Sequence, residues 1–243
     1  MTKLQTVLGL MSGTSLDGID VAAIETDGEN IIRPLGQLYV PYDEEARGVL
    51  QAALEAAQNA KPSDWGASNT WPEPVRHADI LVSEAHIGAI ARFRAKHDVA
   101  FTLVGFHGQT VLHQPEAGIT VQIGDPQLLA RATDCAVVGQ FRLADIANGG
   151  QGAPLAPLFH AARAKSQSGS LGVLNIGGVA NITLLDEGEK ICSFDTGPGN
   201  ALLDDWVSAK TGRPYDADGA LARKGRVDEM ALQLSLIHIS EPT

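Results

Sequence analysis

The chain has 243 residues, 44% of them hydrophobic and 5% aromatic, which is enough to bury the core of one large domain or two modest lobes. Its formal net charge of −11 at pH 7 argues against nucleic acids and anionic membrane surfaces as partners, because both require a basic surface. No apolar run approaches the roughly 18 residues of a membrane-spanning helix, and the N-terminus lacks the features of a signal peptide, so we expect a cytoplasmic protein. Cys135 and Cys192 lie in apolar runs and are expected to be buried free thiols.

The first half of the chain predicts a β-meander followed by helices and further strands. Apolar runs predict strands at Thr6–Met11, Ile19–Thr26 and Asn30–Val40, separated by the Gly-rich stretch Ser12–Gly18 and an Asp27-Gly28 turn. Helical spacing follows at Asp43–Gln58 and Val75–His97, with a loop at Lys61–Pro74. The next predicted elements are a strand at Phe101–Phe106, a polar loop at His107–Thr110, a strand at Ile119–Ile123, a helix at Pro126–Thr133, a strand at Ala136–Gly139 and a Gly/Pro loop at Asn148–Pro157 that opens a short helix.

The opening pattern then recurs after a linker at Ser166–Ser170. Strands are predicted at Leu171–Ile176, Val179–Leu185 and Lys190–Phe194, joined by Gly177-Gly178 and a turn at Asp186–Gly188, and a helix is predicted at Ala201–Lys210. Two such units suggest two related α/β lobes that face a cleft. The alternative, that any two β-meanders look alike, stays open.

The first candidate site is the Gly-rich segment between the first two strands. Its members are Gly13, Thr14, Ser15, Leu16, Asp17, Gly18, Ile19 and Asp20. It is not a P-loop, because Ile19 and Asp20 stand where a P-loop has Lys and Ser/Thr. Its glycines permit unusual backbone angles and its hydroxyls can donate to phosphate, although a purely structural turn remains the alternative.

Two further segments carry polar groups suited to a sugar. His107, Gln109 and Thr110 follow a buried strand and can bond a polyhydroxylated ligand, whereas the spacing of His107 and His113 disfavours a metal site. Asp145 lies between apolar residues just before a loop that contains Gly149, Gly150 and Gln151, so it is a candidate general base. A helix cap or an Arg142 partner is the alternative role for Asp145.

A last candidate site lies where a predicted strand meets a helix. Asp195, Gly197 and Gly199 precede the helix that starts at Ala201, so backbone N–H groups and the positive helix end meet there. That combination suits a phosphate group. An ordinary capped turn is the alternative.

In chain order, LGLMSGTSLDGID, GFHGQT, QIGD, FRLADIANGGQGAPL, LNIGGVANIT and DTGPGNALLDDW resemble the anhydro-N-acetylmuramic acid kinase family, from about Val7 to about Leu232. The resemblance implies an α/β, actin-like (ribonuclease H-like) two-lobe sugar kinase fold that uses ATP and Mg²⁺ on a small amino sugar. It places the base that activates water on Asp145 and the first phosphate contacts on Gly13 to Asp20. It places the facing half of the nucleotide site on the segments that contain Gly177, Gly178, Asp195, Gly197 and Gly199.

The chain also departs from the family's pattern. Gln140 stands where the family usually has Asp, and Met11 and Asn175 stand where related kinases often have acidic residues, so the metal ligands stay unknown. The family's later Gly-rich adenosine motif is absent. We therefore expect an N-terminal lobe at 1–167, the start of an incomplete C-terminal lobe at 168–234 and a non-native tail at 235–243, and no activity from this fragment alone. A non-catalytic sugar- or nucleotide-binding module, a hydrolase that opens the sugar without phosphorylating it, and a homodimer all stay open.

Overall fold

A computed structural model describes residues 3–165, 167–186 and 191–233 of the protein. The strands are β1 (Gln5–Ser12), β2 (Gly18–Thr26), β3 (Ile32–Pro41), β4 (Leu103–Gln114), β5 (Ile119–Ile123), β6 (Ala136–Gly139), β7 (Leu171–Ile176), β8 (Val179–Leu185) and β9 (Ile191–Pro198). The helices are α1 (Glu44–Asn59), α2 (Glu73–Lys96), α3 (Pro126–Thr133), α4 (Leu143–Ala147), α5 (Ala156–Ala164) and α6 (Ala201–Thr211). The protein divides into two compact units: the chain up to Leu171 with Leu185–Cys192, and Gly172–Leu184 with the chain from Ser193 onward.

The first unit is built on one mixed sheet. β1 to β3 form the antiparallel meander that the sequence predicts, and β4 runs parallel to β1. On its other edge β4 pairs first with β6, in parallel, and then with β5, antiparallel. The order β3-β2-β1-β4-β6 is the ribonuclease H-like arrangement expected for an actin-like lobe, and β5 is added where β4 runs on past β6.

Helices α1 and α2 cover one face of this sheet. The Asp43 side chain accepts from the Ala46 N–H and caps α1, which buries Leu50, Ala53 and Ala57 at helical spacing. Helix α2 begins beside two prolines, where missing N–H groups cost nothing, and buries Phe93 completely. Burying a side chain of that size contributes about 1.5–3 kcal/mol. The core therefore lies between these two helices and the sheet.

The second unit holds the sheet β7-β8-β9, which is the second three-stranded segment that the sequence predicts. Thr196 of β9 donates its hydroxyl to the Ala180 carbonyl of β8. Helix α6 follows β9 after Gly199 and Asn200, and ends at Gly212 in the left-handed conformation that glycine favours. This unit therefore carries both of its candidate glycine segments within one small sheet and its following helix.

Several sequence predictions are wrong. His107–Thr110 is not a loop, because β4 continues to Gln114 with a register shift opposite Leu10–Ser12 that inserts an extra residue. Strand β9 extends to Pro198, and the short helix α4 was not predicted. Cys135 is a buried free thiol as expected, but Cys192 is exposed. The predicted Asp186–Gly188 turn lies partly, and the tail at 235–243 wholly, outside the described residues.

Candidate active site

The segment between β1 and β2 forms an open loop that joins the ends of these two paired strands. The Leu16 N–H donates to the Gly13 carbonyl and the Ser15 hydroxyl donates to Asp17, while Thr14, Ser15 and Asp17 are exposed. A Cβ added to Gly13 would meet only Ser15 Oγ, at 3.6 Å. Internal packing therefore does not require glycine at this position, and the loop backbone is open to a ligand on that side.

The end of the predicted phosphate segment belongs to the core. Gly18 is buried, and only glycine fits there, because a Cβ would overlap the Val40 carbonyl and the Tyr39 ring. The Ile19 side chain is fully buried. Leu16 has a positive φ of 55° and packs against the core from the loop. The side chains of Leu16 and Ile19 therefore anchor the loop, and their contact with a cofactor stays a prediction.

A buried polar network supports the base of this loop. The Ser12 hydroxyl donates to Gln109 Oε1 at 2.5 Å, and the Tyr42 hydroxyl donates to Ser12 Oγ at 3.1 Å. Ser12 is 1% exposed and Gln109 is fully buried. Burial raises the pKa of Tyr42, opposed by its bond to Ser12. Gln109 therefore holds the end of β1, and its contact with substrate stays a prediction.

This segment carries two carboxylates, Asp17 in the loop and Asp20 near the start of β2. Partial burial, and then the negative charge of Asp17, raise the pKa of Asp20 above its usual value. Like charges this close favour a cation between or beside them. No cluster of three or more His, Cys, Asp or Glu side chains suited to a metal occurs within residues 3–165, 167–186 and 191–233. A magnesium ion held by one or two carboxylates together with phosphate oxygens would not need such a cluster.

Asp145 lies on α4 and is exposed, with a glycine loop wrapped around its carboxylate. The Gly152 N–H donates to Asp145 Oδ2 at 2.6 Å, and the Gly150 N–H donates to the Asp145 carbonyl at 2.8 Å. A Cβ on Gly150 would overlap the carboxyl group, and Gly149 and Gly152 have positive φ angles that favour glycine. The Gly149, Gly150 and Gly152 pattern is therefore what lets the loop fold against Asp145.

The side chain of Arg142 joins this loop to β4. Its Nη1 donates to the Gly152 carbonyl at 2.7 Å, and its Nη2 lies 3.0 Å from His107 Nε2. His107 Nδ1 lies 2.9 Å from the Gly108 carbonyl. Because the guanidinium can only donate, Nε2 is the acceptor and Nδ1 carries the proton. Burial, and then the nearby Arg142 charge, lower the pKa of His107 against the Gly108 bond, which agrees with a neutral ring.

Neighbouring side chains complete the surroundings of the loop. His113 contacts Thr120 Oγ1 at 3.0 Å and bonds the backbone of Gln151, and burial lowers its pKa. Thr110 accepts from Gln122 Nε2 at 3.3 Å. Asp20 and Phe141 line one cavity of about 320 Å³ together with Met11 and Gly105. The structure therefore places Asp20, near the start of β2, beside Phe141, which precedes Arg142 in the chain.

The glycine segments of the second unit contact each other. The N–H groups of Gly199 and Asn200 donate to the Gly178 and Gly177 carbonyls at 2.9 and 2.8 Å, and the Ala201 N–H donates to Gly178 at 3.4 Å. These three N–H groups are therefore engaged by the Gly177-Gly178 turn, and a phosphate site at the start of α6 stays a prediction. Asp195 is exposed and Gly197 has a φ of 139°, and their assignment to phosphate stays a prediction.

Comparison with known proteins decides the family. The sequence profile of anhydro-N-acetylmuramic acid kinases matches residues 5–239. The chain belongs to this family. A protein named anhydro-N-acetylmuramic acid kinase from Rhodopseudomonas palustris (strain BisB18) is 49% identical over 96% of this chain, and one of the same name from Acidiphilium cryptum (strain JF-5) is 50% identical over 93%.

The chain spans 64% of the length of the first relative and 60% of the second. Among solved structures, the ethanolamine utilization protein EutJ from Carboxydothermus hydrogenoformans matches 87% of this chain and 59% of its own, with a TM-score of 0.36 and 13% identity. A likeness this low carries no argument. No helix in the described part of the chain is long and apolar enough to cross a membrane.

Sequence reasoning missed three supporting residues. Ser12 and Tyr42 gave no signal because serine and tyrosine next to glycine-rich or helical segments are common. Arg142 was considered only as a partner of Asp145, whereas it reaches Gly152 and His107. The available signal is the placement of an Arg between two apolar residues, Phe141 and Leu143, just before the glycine loop.

Proposed function

We propose that the whole protein is an ATP-dependent kinase that opens the 1,6-anhydro bond of 1,6-anhydro-N-acetylmuramic acid and phosphorylates O6, in the recycling of cell-wall peptidoglycan. Membership of the family supports this activity. The observation that carries the proposal in the structure is Asp145, an exposed carboxylate whose Oδ2 is fixed by the Gly152 N–H in a loop shaped by glycines. We place the protein in the cytoplasm, with this amino sugar and ATP as its small-molecule partners.

The proposed reaction uses Asp145 as a general base. Asp145 takes a proton from water as the water oxygen attacks the anomeric carbon, and the bond from that carbon to O6 breaks. The freed O6 attacks the γ-phosphorus of bound ATP, the bond from that phosphorus to the β,γ-bridging oxygen breaks, and the products are ADP and N-acetylmuramate 6-phosphate. General base catalysis contributes about 10²–10⁴-fold to such steps.

The remaining candidate residues are assigned to ATP and sugar. The open backbone at Gly13 and the exposed Thr14 and Ser15 hydroxyls fit phosphate oxygens. Asp17 and Asp20 fit a magnesium ion that also binds those oxygens, because burial, and then the Asp17 charge, raise the pKa of Asp20 and a cation offsets both effects. Thr110, the Gly149-Gly150 segment and Gln151 are assigned to the sugar. Gly177, Gly178, Asp195 and Gly197 are assigned to the nucleotide on the second unit.

Replacing the base tests the proposal. In the complete protein encoded at this locus, Asp145→Asn should lower turnover by about 100-fold or more while ATP affinity stays unchanged, since the amide keeps the shape but loses basicity. Asp134→Asn, an exposed carboxylate in the same unit, is the matched control. The assay follows sugar phosphate by mass spectrometry with and without ATP. Wild-type turnover in Asp145→Asn refutes the base, ring opening without ATP indicates a hydrolase, and binding without turnover indicates a binding module.

A further inference from the structure

We propose that Arg142 and His107 are positioning residues that hold the Asp145 loop in its working shape through Gly152. The inference rests on the proposed function for its kinetic test, but its structural basis is a continuous chain of hydrogen bonds within the first unit. The chain runs from β4 at His107 to Arg142, which precedes α4, then to Gly152 and finally to the Asp145 carboxylate.

His107 cannot contact the sugar through either ring nitrogen in this arrangement. Nε2 accepts from Arg142, and Nδ1 donates to the Gly108 carbonyl beside it. The ring is also partly buried, and burial is the largest cause that keeps its pKa low. The polar HGQT segment therefore contributes His107 as a support for Arg142, which is a different role from the substrate contact that the sequence suggested.

Arg142 is a half-buried cation whose contacts are with neutral acceptors. The two salt bridges found among the described residues join Arg33 to Glu25 and Arg131 to Asp125, and neither involves Arg142. Its Nε is buried and has no partner within residues 3–165, 167–186 and 191–233. Placing an uncompensated guanidinium there is costly, and burial lowers its pKa accordingly. The planar group spans two acceptors on separate segments, which a flexible Lys cannot reproduce.

Gly152 transmits this support to the base. Its carbonyl accepts from Arg142 Nη1 at 2.7 Å, and its N–H donates to Asp145 Oδ2 at 2.6 Å. Gly152 has a φ of 68°, in the left-handed region that glycine adopts about as readily as other backbone conformations. The hydrogen bonds at its carbonyl and at its N–H therefore select this conformation. Losing Arg142 frees the carbonyl side, and the carboxylate then loses a fixed donor. A misplaced catalytic group can lower turnover by as much as about 100-fold.

The test compares variants that remove either partner of the Arg142–His107 hydrogen bond with a variant that keeps an acceptor at position 107. In the complete protein, we expect Arg142→Met and His107→Leu to lower kcat by about 10-fold or more with KM for ATP unchanged, because the base is misplaced while the phosphate loop is intact. His107→Gln keeps a polar atom near the Nε2 position and should restore kcat to within about threefold of wild type. Arg94→Met is the matched control, since Arg94 also donates to a backbone carbonyl, that of Thr133, away from the site.

Amide hydrogen exchange at Gly152 is the second readout and needs no activity. Arg142→Met and His107→Leu should speed exchange at Gly152, whereas His107→Gln and Arg94→Met should not. The proposal is overturned if kcat is unchanged in both Arg142→Met and His107→Leu, or if His107→Gln loses as much kcat as His107→Leu. Unchanged amide exchange at Gly152 in Arg142→Met and His107→Leu also overturns it. If Arg142→Met fails to fold, the Leu and Gln variants of His107 decide the matter. A wild-type protein without kinase activity refutes the proposed function alone, because the exchange result still decides whether Arg142 and His107 hold the loop.

Discussion

Protonation of His86 on α2 should make the first unit sensitive to acid. The side chain is fully buried against the Phe106 ring, with centroids 5.0 Å apart, and its Nδ1 lies 2.7 Å from the Val82 carbonyl. Its Nε2 is buried and has no partner in the described residues. Burial lowers the pKa of His86 from 6.5 to about 4, an effect that the Val82 bond opposes and the nearby His107 adds to.

The sign and size of the effect follow from linkage. The folded protein keeps His86 neutral, so its stability is fully present above pH 6.5 and is lost as the pH falls from 6.5 toward 4, where only the unfolded chain binds the proton. A shift of this size is worth about 3 kcal/mol in total, of which about 2 kcal/mol is lost between pH 7.5 and pH 5. Such a loss is a large fraction of a typical stability of about 5–15 kcal/mol.

Urea unfolding of wild type and His86→Leu, followed by circular dichroism at pH 7.5 and pH 5, measures this effect. Between the two pH values the variant should lose about 2 kcal/mol less than wild type, because Leu fills a similar volume and cannot titrate. His77→Leu on the same helix is the control, since His77 is exposed. Equal losses in wild type and His86→Leu would falsify the reasoning.

Three other predictions concern the glycines and the buried network. Gly13→Val should fold normally, because its Cβ meets only Ser15 Oγ at 3.6 Å, but calorimetry should show weaker ATP binding with sugar binding retained; unchanged ATP affinity would count against the phosphate role. Gly199→Ala should lower the melting temperature of the second unit, since its Cβ would overlap the Gly177 carbonyl, whereas Gly178→Ala makes an ordinary 3.5 Å contact and should not. Gln109→Leu should cost about 1–3 kcal/mol in urea unfolding by leaving the Ser12 hydroxyl without its acceptor, and an equal cost in exposed Gln114→Leu would contradict this.

The fold could be predicted from the sequence wherever apolar periodicity is strong. Strands β1 to β3 and the two long helices lie within a few residues of their predicted bounds, because alternation and helical spacing report directly which face is buried. The continuation of β4 through His107–Thr110 could not be predicted. Polar residues with two glycines look like a loop, and only the register shift against β1 and the pairing with β5 make them a strand.

In the candidate site, local sequence context predicts some residue roles, whereas others depend on contacts between distant parts of the chain. Asp145 could be selected because a lone carboxylate before a glycine run is unusual. The supporting role of Gln109 could not be predicted, because a buried amide that supports a loop and an exposed one that binds a sugar have the same sequence signature. Their difference is the Ser12 hydroxyl, which lies 97 positions away in the chain and meets Gln109 only when β1 pairs with β4.

The contact between Gly199 and the Gly177-Gly178 turn has a consequence for how this family can vary. The hairpin of β8 and β9 is closed at the end near α6 by bonds from Gly199 and Asn200 to the turn, independently of the connection at its opposite end. Insertions and deletions in that distant connection should therefore leave the glycine turn and the start of α6 in place. Length variation among relatives should concentrate between Asp186 and Ile191, while any gap between Pro198 and Ala201 should be rare.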